Sequence, residues 1–220
     1  MINLKLKTIA SFIEKEDVVL DTCCDHAYLA IYLKQNQLCK EVYASDINEN
    51  ALNQAKKNIK TSKMHICTYL SDGFKSIDNL EINTAVIAGV GTSTVLDIIE
   101  FAPDNIKKFV ISSNNNWEEL RKKLYKRNLY IKKEVVVLDK HKYYVIMFVT
   151  KEYIKENALS LKYGKSNNKE YYLSLKKKEL EVLNKIPKNK FILRFKCFRN
   201  IYYLNKLIKR ILGYYLIQFL

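Results

Sequence analysis

The segment of residues 18–29 constrains the fold of this chain more than any other part of it. A short apolar run ends at Asp21, a tight turn follows, and a helical pattern begins. A second strand pattern, residues 41–45, is followed directly by Asp46. Open α/β sheets use this pairing to hold a nucleoside cofactor, because the first turn approaches the ligand and the second acid faces the ribose hydroxyls. The glycines that are usual in the first turn are absent here.

Alternating strand and helix patterns define the fold class. Helical periodicity indicates helices at residues 3–14 and 27–36. Strand patterns alternate with helices, which predicts a parallel sheet; they fall at residues 18–21, 41–45, 65–69, 84–88 and 109–111. Only four residues separate the last two strand patterns, which predict an antiparallel hairpin at residues 131–138 and 143–150. We therefore predict an α/β fold for residues 1–151, a Rossmann-like methyltransferase sheet that is mostly parallel with an antiparallel last strand.

Residues 152–220 are predicted to form a basic, coiled-coil-like helical extension. Residues 152–166 are expected to be a linker, and apolar residues then recur at helical spacing on both sides of Pro187. Proline breaks a helix, so two helices should pack as an antiparallel hairpin. The apolar stripe predicted for the second helix comprises Phe191, Phe195, Phe198, Tyr202, Leu204, Ile208, Ile211 and Tyr215.

The net charge of +15 lies mainly in this extension. Residues 1–150 carry 21 Lys and Arg against 18 Asp and Glu, whereas residues 151–220 carry 17 against 5. Such segregation favours a polyanionic partner or an anionic membrane surface, although a lysine-rich composition alone is an alternative explanation. The candidate contacts to a nucleic acid are Lys196, Arg199, Lys206, Lys209 and Arg210.

Composition also bears on cellular location and on metals. The five cysteines have no metal-binding spacing, and their odd number is typical of a reducing compartment. We expect a cytoplasmic, monomeric protein with no metal and no stable membrane association. The apolar and basic residues 201–220 leave open a peripheral membrane protein as an alternative.

Acidic residues at strand ends are the strongest candidates for ligand binding. Asp21 and Asp25 flank the first turn, where a carboxylate can accept a hydrogen bond from a charged amino group, although Asp25 can equally cap the helix. Asp46 can bind both ribose hydroxyls or simply favour the next helix dipole. Asp72 and Gly73 follow the third strand, where the acid can accept from an adenine amine or form an ordinary turn.

Small and polar residues end the next two strands. Ala88 and Gly89 would let a substrate approach the backbone in the crevice of the sheet, or form a tight turn. Asn114 lies beyond the fifth strand, on the same edge, or is a solvated loop residue. His26 and Tyr28 begin the first helix after β-strand 1 at this mouth, although a lone histidine is more often structural.

The chain resembles the bacterial tRNA (adenine-22-N1)-methyltransferase family in four motifs that occur in the same order. They are Asp21-x-x-x-Asp25-His26-Ala27-Tyr28-Leu29, Asp72-Gly73, Ala88-Gly89-x-Gly91 and Asn114. The resemblance covers the N-terminal 150 residues, and the basic extension is similar in placement and size. The resemblance implies that S-adenosylmethionine is the methyl donor and that tRNA is the partner, with N1 of adenine 22 in the D-arm as the methyl acceptor. On this resemblance the cofactor positions are Asp21, Asp25, His26, Asp46, Ile47, Asp72, Gly73, Ala88 and Gly89. The positions near the target base are His26, Tyr28 and Asn114, and Asp25 would supply negative potential there.

Departures from the family pattern fall at the acceptor side and in the first turn. The family usually has glycine at the position of Cys23, which would be strained if φ is positive there. Thr92, Ser112 and Ser113 also differ from the family pattern. The remaining alternatives are a methyltransferase acting on another RNA or on a small molecule, a nicotinamide oxidoreductase, and a catalytically silent RNA-binding protein.

Overall fold

The computed structural model describes residues 2–77 and 80–217, with side chains described as far as Leu212. The chain divides into two compact units, Met1–Lys155 and Glu156–Leu220. In the described part of the chain, no helix is long and apolar enough to cross a membrane.

A seven-stranded sheet forms the centre of the first unit. Its elements are α1 (Leu4–Ala10), β1 (Val18–Thr22), α2 (Tyr28–Gln35), β2 (Glu41–Asp46), α3 (Glu49–Thr61), β3 (Thr68–Leu70), β4 (Thr84–Ala88), α4 (Thr92–Glu100), β5 (Lys108–Ser112), α5 (Trp117–Lys126), β6 (Tyr130–Asp139) and β7 (Lys142–Thr150). The strand order is β3-β2-β1-β4-β5-β7-β6. Strands β1 to β5 are parallel, and β7 runs antiparallel to both β5 and β6. The predicted sheet, mostly parallel with an antiparallel last strand, is confirmed.

The central strands are buried, which explains why their sequences carry so little charge. Strand β4 is buried from Thr84 to Ile87, and β1 is buried from Val19 onwards. The hydroxyl of Thr22 donates to the carbonyl of Val86 at 2.8 Å. This bond ties the end of β1 to β4, so the two strands hold their carboxyl ends in a fixed relation.

The carboxyl ends of β1 and β4 define a crevice. Strands β2 and β3 lie on one side of β1, whereas β4 and β5 lie on the other, so the strand order reverses between β1 and β4. Ligands of open α/β sheets bind outside the carboxyl ends of the strands at such a switch point. The sheet therefore brings the ends of β1, β2, β4 and β5 to one edge, with the predicted acidic and polar residues among them.

Two element boundaries differ from the predictions in a way that matters for packing. Helix α1 ends at Ala10 rather than at residue 14, and the ring of Phe12 stacks on Phe148 with 5.6 Å between centroids. Strand β3 spans only Thr68–Leu70, not residues 65–69, because it pairs with just the last three residues of β2.

The second unit contains α6 (Ala158–Tyr163), α7 (Lys169–Lys185) and α8 (Phe191–Ile217). Helices α7 and α8 pack together on either side of the turn at Pro187, as the predicted hairpin requires. The predicted linker is wrong in part, because it contains α6. Asn157 caps this helix in a reciprocal arrangement with Ser160, so a short polar stretch is enough to begin it.

The predicted apolar stripe of α8 is wrong in its first half. Phe191, Phe195, Phe198 and Tyr202 are exposed, between 53% and 77%. The buried face of the helix instead comprises Cys197, Asn200, Leu204, Leu207, Ile208 and Ile211. The physical reason is a polar contact: the amide of Asn200 donates to a carboxylate oxygen of Glu179 on α7 at 3.1 Å. The side chain of Tyr215 lies outside the described part of the chain.

Candidate active site

The turn between β1 and α2 has an unusual backbone for a segment without glycine. Cys23, Asp25 and Ala27 all have positive φ, at 55°, 49° and 55°. The amide of Cys24 donates to the carbonyl of Ser45 at 2.9 Å, which joins the turn to the end of β2. The condition for strain at Cys23 is therefore met, because a side chain in this region of φ is disfavoured.

Asp46 holds this turn from the neighbouring strand. One of its carboxylate oxygens accepts from the amide of Asp25 at 3.0 Å, and the other accepts from the amide of Asn48 at 2.9 Å. The residue is 9% exposed. Each carboxylate oxygen can accept a further hydrogen bond, so the side chain both fixes the turn and keeps capacity for a ligand.

Asp21 lies beneath the start of α2 and is 5% exposed. The pKa of Asp21 is raised to about 7, mainly by burial. The hydrogen bond from the backbone amide of Ala30 acts in the opposite direction and lowers this pKa. The negative charge of Asp46 contributes to the raised pKa, whereas the ammonium of Lys5 opposes it. Asp21 is thus a carboxyl group that gains or loses its proton near neutral pH at the floor of the crevice.

Asp72 and Gly73 follow β3 at the same edge. The Asp72 carboxylate is exposed and paired with the ammonium of Lys75. Gly73 has a φ of 61°, and a Cβ there would lie 3.1 Å from the side chain of Ile98, so both backbone and space require glycine. The backbone amide of Ser71 donates to the carbonyl of Asp46 at 3.0 Å and links the two strand ends.

Asn114 is anchored on the end of β4. Its side-chain amide nitrogen donates to the carbonyl of Gly89, and its backbone amide donates to the carbonyl of Val90 at 2.9 Å. Because a carbonyl can only accept, the NH₂ of Asn114 must face Gly89. The Asn114 side chain is exposed, so its oxygen remains as an acceptor at the mouth of the crevice.

His26, Tyr28 and Ile47 form the rim. The rings of His26 and Tyr28 are 5.3 Å apart between centroids, and His26 Nε2 lies 3.4 Å from a carboxylate oxygen of Asp25. His26 Nδ1 is buried without a hydrogen-bond partner among the described residues. Tyr28 and Ile47 are 52% and 66% exposed. Two aromatic rings and an apolar side chain at an open mouth can pack against planar bases.

The thiols beside this site are poor nucleophiles. Burial and, to a smaller extent, the charge of nearby Asp46 raise the pKa of Cys23 to about 11. Burial also raises the pKa of Cys24, with the charges of Asp21 and Asp46 acting in the same direction. The thiolate is the reactive form of cysteine, so neither residue is suited to covalent catalysis. In the described ranges, no three His, Cys, Asp or Glu side chains are grouped as metal ligands.

Sequence reasoning missed Lys5 of α1. Its ammonium lies 4.0 Å from the position that a Cβ on Gly89 would occupy, and it also interacts electrostatically with Asp21. A lysine in an amphipathic helix carries no signal of its own in the sequence. Only the packing of α1 against β6, β7 and α2 brings Lys5 to the crevice.

The five predicted RNA contacts belong to the second unit. All of them are exposed on α8: Lys196, Arg199, Lys206, Lys209 and Arg210. They share that exposed surface with Phe195, Phe198 and Tyr202.

Comparison with known proteins agrees with this geometry. A family model described as "Methyltransferase domain" matches residues 2–147. TrmK from M. capricolum, solved in complex with S-adenosyl-homocysteine, is 30% identical and has a TM-score of 0.79, over 96% of this chain and 99% of that one. The tRNA (adenine(22)-N(1))-methyltransferase of Bacillus subtilis is 27% identical over 148 residues, 65% of this chain and 62% of that protein. The crystal structure of the B. subtilis m1A22 tRNA methyltransferase shares the fold at 19% identity, with a TM-score of 0.78 over 94% of this chain and 99% of that one.

The fold, the switch-point crevice and the acids at its strand ends define a Rossmann-like methyltransferase. The chain belongs to the bacterial tRNA (adenine-22-N1)-methyltransferase family.

Proposed function

We propose that this chain transfers a methyl group from S-adenosylmethionine to N1 of adenine 22 in tRNA. The observation that carries the proposal is the contact between Asn114 and Gly89, which leaves a neutral acceptor oxygen at the mouth of the crevice. Adenine presents its exocyclic amine, a donor, next to N1. An anchored acceptor at this point therefore suits adenine presented by its base-pairing edge.

The residues present fit the donor. Asp46 keeps lone pairs for the two ribose hydroxyls, and the exposed Ile47 offers an apolar surface for the adenine ring. Asp72 would accept from the adenine amine while it shares its charge with Lys75. Ala88 and the φ of 90° at Gly89 leave the end of β4 open to close approach. When bound, S-adenosylmethionine supplies a methyl group on a positively charged sulfur.

The acceptor base has to be reached before it can react. N1 of adenine has an in-plane lone pair and needs no deprotonation, but it lies on the base-pairing edge. Flipping the base out costs a few kcal/mol, and stacking against His26 and Tyr28 would offset part of that cost. The oxygen of Asn114 would hold the exocyclic amine and so align N1.

Charge distribution in the pocket favours the reaction. Methylation moves positive charge onto the adenine ring, and the exposed Asp25 carboxylate lies beside His26 at 3.4 Å. A fixed negative charge near the developing positive charge stabilises it. Asp25, His26, Tyr28 and Asn114 therefore act by positioning and electrostatics, and none of them has to remove a proton.

The second unit is proposed to bind tRNA. Its long helix α8 exposes lysines and arginines next to Phe195, Phe198 and Tyr202. Positive charge attracts the phosphate backbone, whereas exposed aromatic rings stack on unpaired bases. We expect the protein to act in the cytoplasm as a monomer, which light scattering of the purified protein would test.

The decisive experiment identifies the methylated nucleoside and its position. Unmodified tRNA transcripts are incubated with the protein and S-adenosylmethionine carrying a labelled methyl group, then digested and separated. We expect label in 1-methyladenosine, and none when a transcript with guanosine at position 22 is used. Label in another nucleoside would indicate a different RNA methyltransferase. Bound tRNA and donor without any label would indicate a catalytically silent RNA-binding protein.

A further inference from the structure

The loop that carries Asn114 contains no proline to restrict its backbone. Residues 112–116 are two serines followed by three asparagines. A run of such residues loses considerable conformational entropy when it is held in one conformation. Asn114 is nevertheless anchored at the end of β4 by its backbone amide and by its side chain. Contacts from another element must therefore hold the residues on either side of it.

Thr92, the first residue of α4, contacts both neighbours of Asn114. Its hydroxyl donates to the carbonyl of Asn115 at 2.7 Å and lies 2.9 Å from the hydroxyl of Ser113. Each hydroxyl has one proton, so Ser113 donates to Thr92 when both contacts are formed. The backbone amide of Thr92 also donates to the side-chain oxygen of Asn115 at 3.1 Å. Thr92, Ser113 and Asn115 together form the Thr92 network.

The two hydroxyls of the Thr92 network are withdrawn from water. Thr92 is 3% exposed and Ser113 is 1% exposed. The indole nitrogen of Trp117 on α5 donates to the carbonyl of Ser113 at 2.8 Å, so the loop is held from a second helix as well. When one partner of a buried hydrogen bond is removed, the other is left without a replacement. Loss of the Thr92 hydroxyl therefore removes a constraint that water does not restore.

We propose that Thr92 and Ser113 are positioning residues, which fix the loop so that the free oxygen of Asn114 meets the exocyclic amine of the target adenine. This inference rests on the function proposed above. Both residues depart from the family pattern, so this chain would hold the acceptor side of its site with a hydroxyl pair of its own. A displacement of about 1 Å at the reacting groups can slow a reaction about a hundredfold. Thr92 and Ser113 thus act on the rate of methyl transfer through Asn114.

Thr92→Val tests this role, because it removes the hydroxyl and keeps the size of the side chain. We expect kcat for tRNA methylation to fall about tenfold or more, while the Kd of S-adenosylhomocysteine in titration calorimetry stays within about twofold. Thr92→Ser keeps the hydroxyl and should restore much of kcat. Ser113→Ala removes the other hydroxyl of the pair and should also lower kcat, which provides a second test if Thr92→Val does not fold.

Ser112→Ala is the matched control. Ser112 is fully buried beside Ser113, and its hydroxyl has no hydrogen-bond partner among the described residues. Loss of that hydroxyl should leave both kcat and the Kd of S-adenosylhomocysteine at the values of the parent protein.

A double mutant shows whether the Thr92 network acts through Asn114. Mutations of residues that act as a unit have effects that do not add. Once Asn114→Ala has removed the acceptor oxygen, adding Thr92→Val should lower kcat by less than about a further twofold.

Several results would overturn the proposal. They are a parental kcat in Thr92→Val, an equal loss of kcat and donor affinity, an equal loss in Ser112→Ala, and a full further loss in the Asn114→Ala background. A lower urea midpoint with parental kcat would assign the two hydroxyls to stability alone. A parent protein that leaves tRNA unlabelled would refute the proposed function together with this inference. A labelled parent and an equally fast Thr92→Val protein would refute this inference alone.

Discussion

Replacing Asp46 with alanine would reveal how strongly this carboxylate holds the first turn. Its oxygens accept the amides of Asp25 and Asn48 at 3.0 and 2.9 Å. Bonds to a charged acceptor contribute about 1.5–3 kcal/mol each, and an unpartnered buried amide costs about 1–3 kcal/mol. Asp46 is 9% exposed, so water can replace these bonds only in part. We expect Asp46→Ala to lower the free energy of unfolding by about 2–5 kcal/mol.

Asp72→Ala is the matched comparison for this loss. Asp72 is exposed, and its side chain is paired only with Lys75 in the described structure. Such surface pairs contribute about 0–1 kcal/mol, so stability should stay close to that of the parent protein. Both variants should weaken binding of S-adenosylhomocysteine about tenfold or more, since each is proposed to contact the nucleoside.

Urea unfolding followed by circular dichroism measures the first effect, and titration calorimetry measures the second. An Asp46→Ala protein that unfolds at the parent's urea midpoint would refute the argument from the two backbone bonds. If Asp46→Ala is less stable but binds S-adenosylhomocysteine as tightly as the parent, then Asp46 has a structural role and does not contact the ligand. A clear loss of stability in Asp72→Ala would mean that its pair with Lys75 holds the turn after β3.

Four further outcomes follow from the structure. Cys23→Gly should raise the free energy of unfolding by about 0.5–1 kcal/mol by relieving the positive φ, and a decrease in urea unfolding would show that packing of the thiol outweighs strain. Asp21 has a pKa of about 7 in the folded protein against 3.8 for the free group, so the stability gained from protonated Asp21 is complete below pH 3.8 and is lost as the pH rises through 7. The free energy of unfolding of the parent, relative to that of Asp21→Asn, should therefore fall between these two pH values. A difference that stays constant would contradict the raised pKa. Asn114→Ala should slow methylation about tenfold or more while donor affinity changes less than about threefold, and equal losses in both assays would assign Asn114 to donor binding. Changing Lys206, Lys209 and Arg210 on α8 to glutamate should weaken tRNA binding. The slope of log binding constant against log salt concentration should also become less steep, by about 0.7–0.9 for each phosphate that the helix no longer binds. Binding equal to that of the parent would disprove this role for the three residues.

The sheet and the acidic residues of the crevice could be predicted because they depend on local patterns and on one topological rule. Uncharged runs such as residues 84–88 belong to strands buried on both faces. Parallel strands bring their carboxyl ends to one edge, so Asp21 and Asp46 had to lie close together wherever the helices pack. Asn157 is a favoured N-cap residue, so the sequence permitted a helix start inside the supposed linker, but the reciprocal bond from Ser160 is visible only in the structure.

Lys5 could not be predicted, because its position depends on how α1 docks. The helix has only seven residues, and its sequence alternates lysine with apolar residues. Ile9 of this helix is fully buried, but helical periodicity does not say what the polar side of the helix faces. Tertiary packing alone places Lys5 beside Gly89.

Helix α8 shows a second limit of periodicity. Its sequence carries two apolar stripes, and positions such as 198 and 207 fall on opposite sides of a helix at 3.6 residues per turn. Hydrophobicity alone would favour burial of the stripe with three phenylalanines, but the stripe that includes Asn200 is buried instead. The contact of Asn200 with Glu179 is made only from that face, and Glu179 also accepts from Lys162 and from the hydroxyl of Tyr163. The Glu179 side chain is only partly exposed, and a carboxylate withdrawn from water is costly unless its partners are present. The network therefore favours burial of the Asn200 face and leaves the aromatic stripe exposed beside the basic residues of the same helix.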